Sequence, residues 1–382
     1  MPQEGGALTE KDVAELRRRF RQDKNSITHI RGCYVNDRGE ILTQFDQPLS
    51  TLGQEEEEKM LALLKGALSG SQGKNLLDVA FSNEQVMEGE EHKLLMELRE
   101  SQLRDENVAE RFFQKVIEGV TLEENYLILL AYDTYDVPGH GKDGEEMEDS
   151  STDVYRYILC AICPVKLTKP GLSYSPHENL FHNCKLDWVI ARPALGFLFP
   201  AFDERTANIY NALYYTKSPE DNCQSLADVL FATELPMPAV QQKETFQGLL
   251  EESFQQQCSM ERVLEVDQKL RETIAQHKEE KQEEPLTFSQ KEVGMLLRGC
   301  GLEEEEDNHF EECYTQSFGQ ETLLSPKNVV ENKIQVKTPA VTVQVDPQRA
   351  ELIQTRVIDG VKYILIRADE EVTVNGVHIH IS

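Results

Sequence analysis

The chain has few aromatic residues and few basic ones. Its 382 residues include one tryptophan, and aromatic side chains make up only 7%. Lysine and arginine number 39 against 68 aspartates and glutamates, so the formal net charge is −29. This shortage of cations disfavours a protein that coats DNA, whose affinity comes from basic groups that neutralise phosphates. A hydrophobic content of 39% still allows buried cores and excludes a wholly disordered or collagen-like chain.

Long hydrophobic segments are also missing. Residues 1–6 lack the basic and apolar regions of a secretory signal. No apolar run approaches the roughly 20 residues that cross a bilayer. The longest runs, at 126–131 and 194–202, have the length of a strand. We therefore expect a cytoplasmic protein without a membrane segment.

Familiar catalytic signatures are absent as well. The sequence contains no phosphate-binding G-x-x-x-x-G-K-[ST], no G-x-G-x-x-G, no G-x-S-x-G and no H-E-x-x-H. Whether the protein is an enzyme stays open, and the sequence indicates no particular cofactor.

Eight cysteines are present, and two of them have redox-like spacing. A redox pair needs its first cysteine at a helix N-terminus, where the thiolate is stabilised. Cys160 and Cys163 instead fall in a β-type run, where side chains three apart point to opposite faces. We expect free thiols, with these two in the core.

Hydrophobic periodicity predicts an α+β fold with an antiparallel central sheet flanked by helices. Strands are predicted over residues 27–35, 40–45, 126–135, 154–166, 188–191, 196–199 and 208–215. Helices are predicted over 9–23, 55–68 and 90–119, and a helical region extends from 225 to about 318. A small C-terminal β-rich unit follows, with hairpin turns at Asp359-Gly360 and Asn375-Gly376.

These patterns divide the chain into four segments. They are 1–50 (N-terminal helix plus hairpin), 51–220 (helices and central sheet), 221–325 (helical region) and 326–382 (the β-rich unit).

The first helix carries a predicted basic face. Arg17, Arg21 and Lys24 follow helical spacing in an otherwise acidic chain. This face could bind nucleic acid, an acidic partner, or the acidic middle of the chain itself. We favour pairing of this basic face with the acidic middle of the same chain.

Two clusters contain metal-ligand residue types. His177, His182, Cys184 and Asp187 lie in a loop-like stretch, but their spacing matches no standard zinc pattern. The second cluster consists of Asp133, Asp136, His140 and Asp143. Hard cations prefer carboxylate ligands such as those of its aspartates. An acidic hairpin loop is equally expected from composition, so no metal site is favoured.

A polar turn interrupts the apolar block at 195–215. Its polar residues exceed what a turn requires, so we expect a functional surface there. They are Asp203, Glu204, Arg205, Asn208 and Asn211.

The chain resembles one family over almost its whole length. The segments that carry the resemblance are the block at 195–215, Gly32-Cys-Tyr-Val35, Tyr132-Asp-Thr-Tyr-Asp-Val137 and residues 359–366. The family is the bacterial one called domain of unknown function 4317, found largely in Firmicutes. The resemblance implies a bacterial cytoplasmic protein and supplies no catalytic residues.

Three functions are consistent with these observations. We favour a non-enzymatic protein that binds a macromolecular partner, because the strong negative charge could steer a basic protein. The first alternative is a metal-dependent hydrolase or nuclease. The second is a nucleoid- or RNA-associated protein, which the net charge disfavours.

Overall fold

The computed structural model describes residues 9–140, 146–183, 186–280, 285–303, 307–319, 322–368, 371–374 and 376–380. The chain forms two compact units, one of residues 1–241 with 283–285 and one of 242–282 with 286–382. The predicted four-segment division stays a prediction.

The first unit is built around one antiparallel sheet. The strands of this unit, not all of which join the sheet, are β1 (His29–Val35), β2 (Ile41–Pro48), β3 (Leu76–Ala80), β4 (Tyr126–His140), β5 (Glu146–Leu167), β6 (Leu172–Ser175), β7 (Leu180–Asn183), β8 (Trp188–Ile190), β9 (Leu195–Phe199), β10 (Ala201–Asp203), β11 (Thr206–Asn208) and β12 (Asn211–Thr216). The sheet has the order β2-β1-β4-β5-β9-β12-β3, and β8 pairs with the end of β5. The hairpins β6–β7 and β10–β11 are separate two-stranded ribbons.

Helices cover both faces of this sheet. They are α1 (Glu10–Arg19), α2 (Gln54–Gly66), α3 (Asn83–Glu88), α4 (Glu90–Glu100), α5 (Glu106–Gly119) and α6 (Gln224–Phe231). On one face Phe112 of α5 and Leu230 of α6 join a core with Ile128 of β4. On the other face Leu16 of α1 and Leu64 of α2 join a second core. The predicted α+β class is thereby confirmed.

Two predicted helices have different bounds. The helix over 9–23 starts as expected, since the Thr9 side chain accepts a hydrogen bond from the Asp12 amide, but it ends at Arg19. The helix over 90–119 divides into α4 and α5. Gln102 and Leu103 adopt left-handed backbone conformations (φ 52° and 61°), which no α-helix accommodates.

The second unit contains a helical part and a chain of small hairpins. The helices are most of α7 (Ala239–Phe254), α8 (Met260–Glu279), α9 (Gln290–Arg298), α10 (Asp307–Phe318) and α11 (Pro326–Val329). The hairpins pair β13 (Ile334–Lys337) with β14 (Thr342–Val345), β15 (Ile353–Ile358) with β16 (Val361–Ile366), and β17 (Val372–Val374) with β18 (Val377–Ile379).

The predicted turn at Asp359-Gly360 is confirmed. Both residues have positive φ (51° and 79°), as the favoured two-residue hairpin turn requires. Asn375 of the other predicted turn lies outside the described residues.

Candidate functional site

The predicted basic face does not form on one helix. Because α1 ends at Arg19, Arg21 and Lys24 follow the helix and are exposed. Arg17 donates from Nε to the Leu68 carbonyl oxygen (2.6 Å) and from Nη2 to the Gly70 carbonyl oxygen (2.8 Å). Burial lowers the pKa of its guanidinium. Arg17 thus ties α1 to the chain just after α2 through two backbone carbonyls.

Asp133, from the predicted acidic cluster, lies inside an internal polar network. It is 1% exposed and accepts hydrogen bonds from the Tyr157 hydroxyl and the Ser26 amide, both at 2.7 Å. Arg19 Nη2 lies 3.4 Å from Asp133 Oδ2 and also donates to the Thr134 carbonyl oxygen. The network therefore fixes α1 against the centre of the sheet.

The other members of that cluster do not join Asp133. Asp136 is exposed, three residues along the same strand, where alternation turns the side chain the other way. Asp143 and the side chain of His140 lie outside the described residues.

The structure brings together three residues of the predicted polar surface at β10–β11, namely Asp203, Asn208 and Asn211. Asp203 is 5% exposed, and its Oδ2 accepts a hydrogen bond from Asn208 Nδ2 at 2.6 Å. The same amide lies 3.4 Å from Asn211 Oδ1. Asp203 Oδ1 is buried without a hydrogen-bond partner among the described residues. Desolvation, reinforced by the charges of Asp12 and Glu204, raises the pKa of Asp203 to about 6.

The remaining two residues of that set form the turn between β10 and β11. Glu204 and Arg205 both have positive φ (47° and 63°), a strained conformation for side-chain-bearing residues. Arg205 is held by Glu15, with Nη1 3.2 Å from Oε2, and donates from Nη2 to the Pro138 carbonyl oxygen. Arg205 therefore anchors the turn to α1 and β4 instead of presenting its charge outward.

The cysteines agree with the expectation of free thiols. The described cysteines form no disulfide. Cys160 belongs to the core on one face of the sheet and Cys163 to the core on the other. Burial raises the pKa of Cys163 to about 12, so its thiol stays protonated at neutral pH.

The metal-ligand candidates near residue 180 do not converge in the described part of the chain. His177 and His182 are exposed, and Cys184 lies outside the described residues. Asp187 is exposed and donates its amide to the Thr168 hydroxyl. Within the described ranges, no group of three or more His, Cys, Asp or Glu side chains is placed to hold a metal ion.

A surface with exposed apolar side chains surrounds these residues. Beyond its pairing with β9, β5 continues into a two-stranded ribbon, pairing with β8 over residues 165–167. The hairpin β6–β7 follows on the same segment. We call residues 165–190 the arm.

The arm exposes large apolar side chains. Tyr174 lies directly opposite Phe181, with ring centroids 5.3 Å apart. Leu172 is on the same face as Tyr174, two residues away. The exposed fractions are 73% for Leu172, 70% for Phe181 and 57% for Trp188 at the base of the arm. Apolar groups that cluster in this way on a water-facing ribbon mark an interaction surface.

The arm also differs from the rest of the chain in charge. It carries three lysines (166, 169, 185) and two acidic residues (178, 187), for a net charge of +1. The remainder of the chain therefore carries −30. Its low charge suits a surface that is removed from water on binding.

Sequence reasoning noticed the polar residues of this segment and missed the apolar ones. The signal was an alternating run at 172–175 and the apolar pair Leu180-Phe181, on either side of Pro176-His177-Glu178-Asn179. A hairpin of that size has too few residues to build a core of its own.

Comparison with known proteins identifies the family. A family model described as Domain of unknown function (DUF4317) matches residues 8–377, and the chain belongs to this family. Neither a curated protein nor a solved structure shows significant similarity to this chain. Among the described residues, no helix has both the length and the apolar content that crossing a membrane requires.

Proposed function

We propose that this member of the DUF4317 family is a non-enzymatic protein that binds a protein partner through the arm. The observation that carries the proposal is the set of large apolar side chains on the arm, with Leu172 and Phe181 on the hairpin β6–β7 and Trp188 on β8, each more than half exposed. A bacterial, Firmicutes origin and a cytoplasmic location belong to the same proposal, as the family resemblance implies.

These three side chains are large enough to stabilise a complex when they are buried. Burying a large apolar side chain fully contributes about 1.5–3 kcal/mol, and aromatic anchors dominate many interfaces. The three residues together would supply several kcal/mol to a complex, while in the free chain they remain in water.

The charge distribution indicates the chemistry of the partner. The arm, at +1, can enter an apolar groove without bringing strong repulsion. The rest of the chain, at −30, attracts cations and accelerates encounter with a basic protein. We therefore propose a net-basic partner with an apolar groove. Added salt should slow association far more than dissociation.

No observation on the described residues favours the alternatives. A metal-dependent hydrolase or nuclease and a nucleoid- or RNA-associated protein both stay predictions.

The test compares three forms of the tagged full chain, purified from the producing organism. They are the wild type, Phe181→Ser in the arm, and Met87→Ser on α3 as a control whose residue is 80% exposed. The wild type and Met87→Ser should retain one partner in stoichiometric amount, and Phe181→Ser should lose it.

The partner is then purified and titrated onto each form by calorimetry. Direct binding that weakens more than tenfold only in Phe181→Ser supports the proposal. Equal binding by Phe181→Ser, or a wild-type chain that purifies with no partner, would contradict it.

A further inference from the structure

Within the part of the chain that the structure describes, no third strand pairs with the hairpin β15–β16. Its two strands pair with each other from Ile353↔Ile366 to Ile358↔Val361 and form a two-stranded sheet. An isolated ribbon of this size is only marginally stable in water and gains stability when another strand is added to it.

The outer edge of β16 lacks the usual protection against pairing. Val361 and Tyr363 are exposed on one face (53% and 43%), and Ile364 and Ile366 on the other (40% and 56%). Lys362 is the one charged residue of this strand. Exposed edge strands normally carry charges, prolines or bulges that block a second chain. In β15, by comparison, Gln354, Thr355 and Arg356 interrupt the apolar residues.

Charge identifies the second strand as one from another copy of this chain. Residues 333–382 contain six basic and six acidic side chains, so this segment is neutral and the other residues carry the whole charge of −29. Contact between two copies over most of the remaining surface, the arm at +1 excepted, brings acidic groups together and is opposed by repulsion. The neutral tail is therefore a place where identical chains meet at low electrostatic cost.

We propose that β16 pairs antiparallel with β16 of a second copy, forming a four-stranded sheet across a homodimer. Identical strands paired antiparallel satisfy two-fold symmetry, the commonest symmetry of soluble oligomers. With the axis at Tyr363 or Ile364, Lys362 lies opposite an isoleucine rather than a second lysine. This pairing covers apolar side chains and edge amides without a like-charge contact.

The test is the molar mass of the full chain in solution, measured by sedimentation equilibrium over a range of concentrations. The wild type should reach twice the chain mass. Its self-association should be tighter in 1 M NaCl than in 0.1 M NaCl, because salt screens the remaining repulsion.

Ile364→Lys should weaken self-association more than tenfold, since it places charge at the paired edge. Val357→Lys, on β15 and 68% exposed, is the matched control and should still dimerise.

Hydrogen exchange provides a test without mutation: the β16 amides of the wild type should be protected at high protein concentration and lose that protection on dilution.

Three results would overturn the proposal. They are a wild-type chain that stays monomeric at the highest concentration, a dimer that survives Ile364→Lys, and a dimer that Phe181→Ser abolishes. The last result would place the second copy on the arm.

Discussion

The turn between β10 and β11 buries a polar side chain, whereas the arm exposes apolar side chains to water. At the turn, two of the polar residues that the sequence singles out are engaged in internal contacts: Asp203 is 5% exposed and Arg205 is paired with Glu15. On the arm, the apolar residues face water, with Phe181 70% exposed. A rich set of polar residues therefore marks internal bonding in one region. In the other region, leucines and aromatics form the exposed surface that we propose a partner binds.

The difference has a physical basis. A buried charge is tolerated only when hydrogen bonds and opposite charges replace water, so polar residues in a sheet core come in networks. An exposed apolar cluster has no such internal compensation and is stabilised by a binding partner. The predictions below test whether the two regions respond to mutation in these different ways.

The largest effect is expected in the internal network at Asp133. Asp133→Ala leaves the Arg19 guanidinium, the Tyr157 hydroxyl and the Ser26 amide without their shared acceptor, and should lower the free energy of unfolding by about 4 kcal/mol. The exposed Asp136 on the same strand is the matched control, and Asp136→Ala should change stability by no more than about 0.5 kcal/mol. Urea unfolding measures both. Similar losses in the two variants would show that the network is not stabilising.

The next effect depends on pH and concerns Asp203. Its folded-state pKa of about 6 lies above the ordinary value of 3.8, so the folded state binds the proton more tightly. This carboxyl should therefore lower stability as the pH rises from about 4 to about 6, by about 3 kcal/mol in total at 1.4 kcal/mol per pKa unit.

The measurement is the free energy of unfolding between pH 4 and pH 7.5 for the wild type and Asp203→Asn. The wild type should lose more stability than Asp203→Asn across this range. The exposed Asp136, which does not contribute to the raised pKa of Asp203, provides the control, since Asp136→Asn should follow the wild-type profile closely. Identical profiles for the wild type and Asp203→Asn would contradict the raised pKa of Asp203 in the folded state.

A smaller effect is expected from the basic residues of the N-terminal segment. Arg17→Ala removes two hydrogen bonds from a charged group to backbone carbonyls and should cost about 2 kcal/mol in thermal unfolding. Arg21→Ala removes an exposed side chain and should cost less than about 0.5 kcal/mol. Equal costs would mean that Arg17 has no special structural role.

The smallest stability effect is expected in the arm. Phe181→Ser should change the free energy of unfolding by less than about 0.5 kcal/mol, because the ring is exposed and contacts Tyr174 on the same ribbon. Differential scanning calorimetry measures this change. A loss of several kcal/mol would mean that the ring belongs to a core and would remove the arm as a binding surface.

Local patterns were sufficient for much of the fold. Apolar β-type runs predicted the strands of the central sheet other than β3, and Asp359-Gly360 correctly predicted the hairpin turn between β15 and β16. β3 was missed because this short run is fixed by pairing with β12, far along the chain. The division between α4 and α5 was missed because the conformation of Leu103 depends on its burial in the tertiary core.

The candidate site was harder to predict because burial is not visible in a list of residue types. Asp203 and Phe181 belong to similar strand-turn-strand patterns in the sequence. Only tertiary packing shows that the carboxylate is covered and the phenyl ring is exposed.

The arm contains the one tryptophan of the chain, which allows the central claim to be measured directly. Acrylamide quenching of Trp188 emission should be efficient in the free protein, since the side chain is 57% exposed. Adding the purified partner should shift the emission to the blue and reduce quenching several-fold, with Trp188→Phe in a parallel titration to subtract the fluorescence of the partner. A Trp188 that is already shielded in the free chain, or that quenches equally with the partner bound, would contradict the proposal that the arm is the binding surface.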